Sequence, residues 1–201
     1  IHMCSKDKYA LLSDFAWYTS ILLDLATTQG SRHGPEVADQ LIEVALRVDY
    51  VRPYAVEAML TMLFDNDLVL GQARNSVTEV LKAAAWIVGE YSSIVASIAN
   101  NTPASEDDDG YVIEGPNGEH IRSSWTGTDL FRKVIEVLMH PRTTNLPARV
   151  QCVYVQSVIK LFVRAATELS DQSSISSIIS LVRHHMVRFL QSPSIEVQER
   201  S

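Results

Sequence analysis

Residues 83–95 read Ala-Ala-Ala-Trp-Ile-Val-Gly-Glu-Tyr-Ser-Ser-Ile-Val, and their reading decides the fold. The run is apolar and helix-forming, yet Gly89 and Glu90 sit in its middle. Glycine costs about 1 kcal/mol against alanine inside a helix, and a carboxylate in such a place needs partners. A long helix that keeps a glycine usually does so because a second helix comes close. The spacing predicts that Gly89 admits a neighbouring helix and that Glu90 bonds backbone groups at the next inter-helix turn. Trp86 then fills the groove between helices, with Tyr91 and Ile94 continuing the contact. This is a packing role and needs no ligand.

Outward from this stretch the 3.6-residue period dominates. Asp14 is placed to cap a helix through Phe15, Trp17, Tyr18, Ile21, Leu22 and Leu25, before the break at Gly30–Gly34. Pro35 opens the next, where its missing N–H costs nothing, with Val37, Leu41, Ile42, Ala45 and Val48 on one face. Arg52-Pro53 opens a third, carrying Val56, Met59, Leu60 and Leu63. Ser76-Val-Thr-Glu79 has the capping-box pattern and starts a helix expected to run to about Ala99. Thr128 is the expected cap of a helix that stops at His140-Pro141. Pro147 opens a long one through Val150, Tyr154, Ser157, Leu161 and Ala165. A serine-rich turn leads to Ile175, Ile178, Ile179, Val182, Met186, Phe189 and Leu190. Ser192-Pro193 begins a last helix.

Seven helices and a shortened eighth, joined mostly by tight turns, imply an all-α fold. Val51–Val56, Ala148–Gln151 and Glu196–Arg200 each place Val and Arg or Gln near a helix start. That recurrence fits helical repeats of about 40 residues, the units of a HEAT- or armadillo-like α-solenoid. We expect residues 4–201 to form one segment of a longer superhelix, with Ile1-His2-Met3 reading as a vector-derived scar.

The exception is a polar insert at about 100–127. Six of the acids behind the net charge of −7 lie between residues 101 and 120 (Glu106, Asp107, Asp108, Asp109, Glu114, Glu119), with no Lys or Arg in that span; the rest of the chain is near −1. Two readings stay open for the insert: disorder, or a small hairpin of Tyr111–Glu114 and Glu119–Ile121 about Asn117-Gly118. Set against an EF-hand loop, Asp107, Asp109 and Gly110 fit, but Ser105 stands at the first position and Pro116 where a bidentate Glu is required. A solvated acidic loop remains. Ser105, with acids one, two and three residues downstream, is a candidate phosphosite.

Little else suggests chemistry. There is no phosphate-binding glycine loop, nucleophile elbow or zinc-helix motif, so no catalytic residue, cofactor or metal is expected. Adjacent His184 and His185 point about 100° apart on a helix and do not converge on one metal. Cys152 reads as a core residue, and with distant Cys4 as a reduced cytosolic thiol. No basic stripe suits nucleic acid, and no apolar run approaches the roughly 20 residues that span a bilayer.

The quoted stretch resembles the Trp-Ile-x-Gly-Glu-Tyr/Phe segment of the large adaptins, the trunk subunits of clathrin-adaptor-type complexes. Phe15–Leu23 is similar to their Trp-Tyr-x-x-x-Ile-Leu helix, and Pro35–Leu63 to the following helix pair. Leu146–Arg149 and Ser192–Arg200 resemble later trunk segments. Within the family, residues 83–92 and His140-Pro-Arg-Thr143 look most like the delta class, while the acidic insert departs from short-loop adaptins. The resemblance implies an adaptin trunk segment in a heterotetramer with a second large adaptin, a medium and a small subunit. Such a complex is peripheral on Golgi or endosomal membranes and sorts cargo toward lysosome or vacuole. The competing expectation is another HEAT-repeat scaffold, such as a nuclear-transport receptor.

Overall fold

A computed structural model describes residues 9, 12–28, 32–65, 75–101, 112–114, 120–122, 127–169 and 171–201. Among them are nine α-helices: α1 Phe15–Thr27, α2 Gly34–Arg47, α3 Arg52–Phe64, α4 Asn75–Glu90, α5 Ser92–Asn101, α6 Gly127–Leu138, α7 Ala148–Glu168, α8 Gln172–Leu190 and α9 Ile195–Arg200. Short 3-10 turns precede α3 (Asp49–Val51) and α7 (Pro141–Asn145). Between α5 and α6, β1 (Val112–Glu114) pairs antiparallel with β2 (His120–Arg122), Ile113 opposite Ile121. The hairpin reading therefore holds for the described part of the insert, with β2 one residue later than expected. Its turn, the acidic run, Ser105, Cys4 and the first eight residues lie outside the described residues.

Helix boundaries follow local chemistry. The Asp14 carboxylate accepts from the Trp17 N–H at 3.0 Å. Pro35 and Pro53 fall in first turns, where no intrahelical donor is needed. The serine stretch is not a turn but the first turn of α8, because Asp171 accepts from the N–H groups of Ser173 and Ser174, each at 3.1 Å. Gly127 starts α6, so Thr128 lies inside it instead of at its cap. α9 starts at Ile195, with Ser194 at its cap position, two residues beyond the expected Pro193.

The helices form two layers. α2, α4, α7 and α9 pack in succession in one, and α1, α3, α6 and α8 in the other. A helix whose apolar surface extends well beyond one stripe belongs in a core, and α4 is such a helix: Val80, Leu81, Ala83, Ala84, Ala85, Ile87 and Val88 are fully buried, while Lys82, Trp86 and Glu90 line its one solvent-facing edge. It packs on α2, α3 and α7, and its alanines keep those approaches short. The expected helix to Ala99 breaks at Tyr91, and α5 carries on beyond to pack on α6 and α7.

Not every predicted inward residue is inward. Trp17, Leu25, Ile179 and Leu190 are exposed. In α1 the core line is Leu22 and Ala26, and nine residues at about 100° each place Trp17 opposite Ala26.

The three Val–Arg/Gln segments also split. Val51–Val56 opens a helix of the α1 layer, whereas Ala148–Gln151 and Glu196–Arg200 open helices of the α2 layer. Only the latter two are equivalent. Val150 and Val197 are fully buried. Beside them Gln151 donates to the Thr144 and Leu146 carbonyls at 2.9 and 2.6 Å, and Gln198 to that of Ser192 at 2.6 Å. Each glutamine fastens its helix to the turn before it.

Tyr154, fully buried on α7, has no hydrogen-bond partner for its hydroxyl among the described residues. An unsatisfied buried hydroxyl costs about 1–3 kcal/mol. Tyr154→Phe is expected to leave stability unchanged or raise it by about 1 kcal/mol, read from the denaturant midpoint; a clear loss would mean the hydroxyl is bonded.

Candidate functional site

The motif residues Trp86, Gly89, Glu90 and Tyr91 lie where α4 meets α7, α2 and the start of α3. A Cβ built on Gly89 would stand 2.7 Å from Ser157 Oγ, 2.8 Å from its Cβ and 2.9 Å from its Cα. The last is backbone of α7, which rotamer changes cannot move. Gly89 is the residue that lets α4 and α7 touch, and Ser157, itself buried, is the small residue opposite. Trp86 is partly buried against the core.

Tyr91 ends α4 with a tie across the layer. Its hydroxyl donates to the Ala45 carbonyl near the end of α2 at 2.9 Å. The Arg52 Nε donates to the same oxygen at 2.7 Å and its Nη2 to the Leu46 carbonyl at 2.8 Å. The guanidinium lies over the Tyr91 ring, 5.0 Å from the centroid, a cation–π arrangement, and also pairs with Asp49 at 2.7 Å. The last carbonyls of a helix lack intrahelical donors, and here Tyr91 and Arg52 supply them. Sequence reasoning placed Arg52 at a helix start but did not give it this role; no local pattern links it to Tyr91.

Glu90 corrects the expectation. It is exposed and pairs with Lys160 of α7 instead of bonding backbone at a turn. Lys160 lies one turn beyond Ser157 on α7, on the same side as the Gly89 contact, which puts its ammonium within reach of Glu90.

The buried carboxylate is Glu79, which the capping-box pattern assigned to the helix start. It accepts from Arg149 Nε of α7 and from Lys82 Nζ, both at 2.6 Å. Burial pushes its pKa up, but the two cations more than offset that, and the net shift is downward. Glu79 and Gly89 thus fasten α4 to α7 two to three turns apart.

Among the described residues no group of three or more His, Cys, Asp or Glu is placed to hold a metal, and no helix is long and apolar enough to cross a membrane. The His184 and His185 rings meet edge-on at 5.1 Å, and His185 Nδ1 lies 2.7 Å from Arg188 Nη1. Cys152 is a free, buried thiol, its pKa raised by burial. Around α4 and α7 the described polar groups fasten helix to helix through hydrogen bonds and ion pairs.

The adaptin N-terminal region matches residues 1–201. The chain belongs to the adaptin family. It is similar to the AP-3 complex subunit delta-1 of Bos taurus, 32% identical over 205 residues, covering 100% of this chain and 14% of the relative. It is also similar to the AP-3 complex subunit delta of Dictyostelium discoideum, 28% identical, covering 100% of this chain and 17% of the relative. To the AP-2 complex subunit alpha-2 of Dictyostelium discoideum it is 23% identical over 97 residues, covering 48% of this chain and 9% of that relative. The adaptin chain therefore spans about a sixth of the length of the delta relatives it matches.

Two outcomes check this geometry. Gly89→Ala should destabilise the chain by about 1–3 kcal/mol through overpacking, despite alanine's better helix propensity, and Gly89→Ala with Ser157→Gly should recover part of the loss; equal unfolding midpoints for all three chains would deny the close contact. Because the Glu79 carboxyl has a lowered folded-state pKa, its contribution is present above its ordinary 4.5 and disappears as pH falls through the folded value. The stability gap between the parent and Glu79→Gln should therefore be wide at neutral pH and narrow in acid, by denaturation across that range.

Proposed function

We propose that this adaptin chain is a trunk segment of a large subunit in a heterotetrameric adaptor complex of vesicle coats. Its role is structural: it supports cargo sorting and protein transport from Golgi or endosomes to lysosome or vacuole. The observation that carries the reading is the match, over the whole chain, to relatives named as delta subunits of the AP-3 complex. The geometry agrees with a load-transmitting span, since the polar groups around α4 and α7 join helix to helix. Its partners are a second large adaptin, a medium and a small subunit, and membrane contact is peripheral, through the complex. It carries no catalytic activity and binds no nucleic acid. The family match does not favour the nuclear-transport alternative.

Residues 4–201 act as one solenoid segment, with an acidic insert at about 100–127. Ser105, beside Glu106–Asp109, is proposed as a phosphosite that adds charge to an already negative loop.

Affinity purification of the full-length protein from its own cells, followed by mass spectrometry, tests the reading. Recovery of a second large adaptin with medium and small subunits is expected. Recovery of nuclear-transport factors, or of no adaptor subunit, would overturn it.

A further inference from the structure

The outer face of the α1 layer carries an aromatic surface that the fastening of helices leaves unused. Trp17 of α1 is 55% exposed and Tyr54 of α3 is 39% exposed. Trp17 lies opposite the core line of α1, so it points away from both layers. Three residues before it stands Asp14, three after it Ser20, and seven after it Asp24, all along one stripe of the helix. Tyr54 lies against this stripe: its hydroxyl is beside Ser20 and within electrostatic reach of Asp14, Asp24 and Glu57. None of these three carboxylates forms an ion pair among the described residues, and Arg47 and Arg52 pair instead with Glu43 and Asp49.

Two exposed rings beside three carboxylates that form no ion pair among the described residues suit one chemistry, Asp14 keeping a second oxygen beyond its cap bond to Trp17. An arginine or lysine side chain stacks on a tryptophan or tyrosine face while its charge meets carboxylates, and exposed aromatics are the residues that anchor interfaces. Glu57 adds to this. It is partly buried, and burial alone raises its pKa, so a cation docking beside it relieves a standing cost. The surface lacks the basic charge that an acidic partner or an anionic membrane would need.

We propose that the face formed by Trp17, Tyr54, Asp14, Asp24 and Glu57 docks a segment of a partner protein in which arginine or lysine alternates with apolar residues. The apolar residues cover the rings and the cations reach the carboxylates. The surface stands apart from the α4–α7 seam and does not depend on the adaptor reading.

The test uses the 201-residue chain and two labelled peptides of equal length, one alternating Arg with Leu and one alternating Glu with Leu, followed by fluorescence anisotropy. The Arg–Leu peptide is expected to bind and the Glu–Leu peptide not to. Trp17→Ala with Tyr54→Ala, and separately Asp24→Asn with Glu57→Gln, should each weaken binding by about tenfold or more. Glu36→Gln with Asp39→Asn, the same charge change on the exposed face of α2, should leave it within about twofold. Asp24→Lys, at an exposed position away from the core, should also weaken it and guards against a folding defect in the double variants. No binding, binding indifferent to the face variants, or equal weakening by the α2 control would overturn the proposal; the last would mean only general attraction to an acidic chain.

Discussion

The close approach of α4 and α7 at Gly89 and Ser157 is the constraint on which the rest of the structure depends. A single Cβ at residue 89 would fall 2.9 Å from the backbone of α7. Interiors pack at crystal-like density, so the gap cannot be widened locally. α4 is buried against three helices, and any shift of it is felt by α2, α3 and α7 together. The helix penalty of glycine is offset by the contact it permits.

Around that contact the polar groups act as fasteners set at intervals. Glu79 with Arg149 holds the early part of the α4–α7 seam, Glu90 with Lys160 the later part. Tyr91 and Arg52 close the end of α2, and Gln151 and Gln198 tie α7 and α9 to their preceding turns. The exposed Glu90 pair contributes little, since surface ion pairs are worth about 0–1 kcal/mol. The buried Glu79 contributes mainly by having its charge satisfied where removal of a partner would be costly. These fasteners tie neighbouring helices of the adaptin chain together through its own side chains.

Much of this was legible in the sequence. Helical period, proline at helix starts and the Asp14 cap located most elements, because those signals act within one or two turns. Gly89 was legible as a point of close approach, since few other reasons keep glycine in such a run. What stayed hidden was set by contacts distant in sequence. Glu79 looked like a capping residue because its local pattern is one, and only the arrival of Arg149, seventy residues later, redirects it. Glu90 was assigned to backbone for want of any local sign of Lys160. The break at Tyr91 follows from its pull toward Ala45, forty-six residues earlier, and Trp17 looked inward because apolar spacing alone cannot tell a core line from a docking face.

The central claim is that α4 and α7 form one mechanical unit joined at Gly89. Native-state amide hydrogen exchange, resolved by residue, tests it most directly. The account predicts that buried amides of α4 and α7 share the highest protection in the chain and lose it together in rising denaturant. If α7 amides exchange through a separate, lower-energy opening while α4 stays protected, the two helices are independent and the account is wrong.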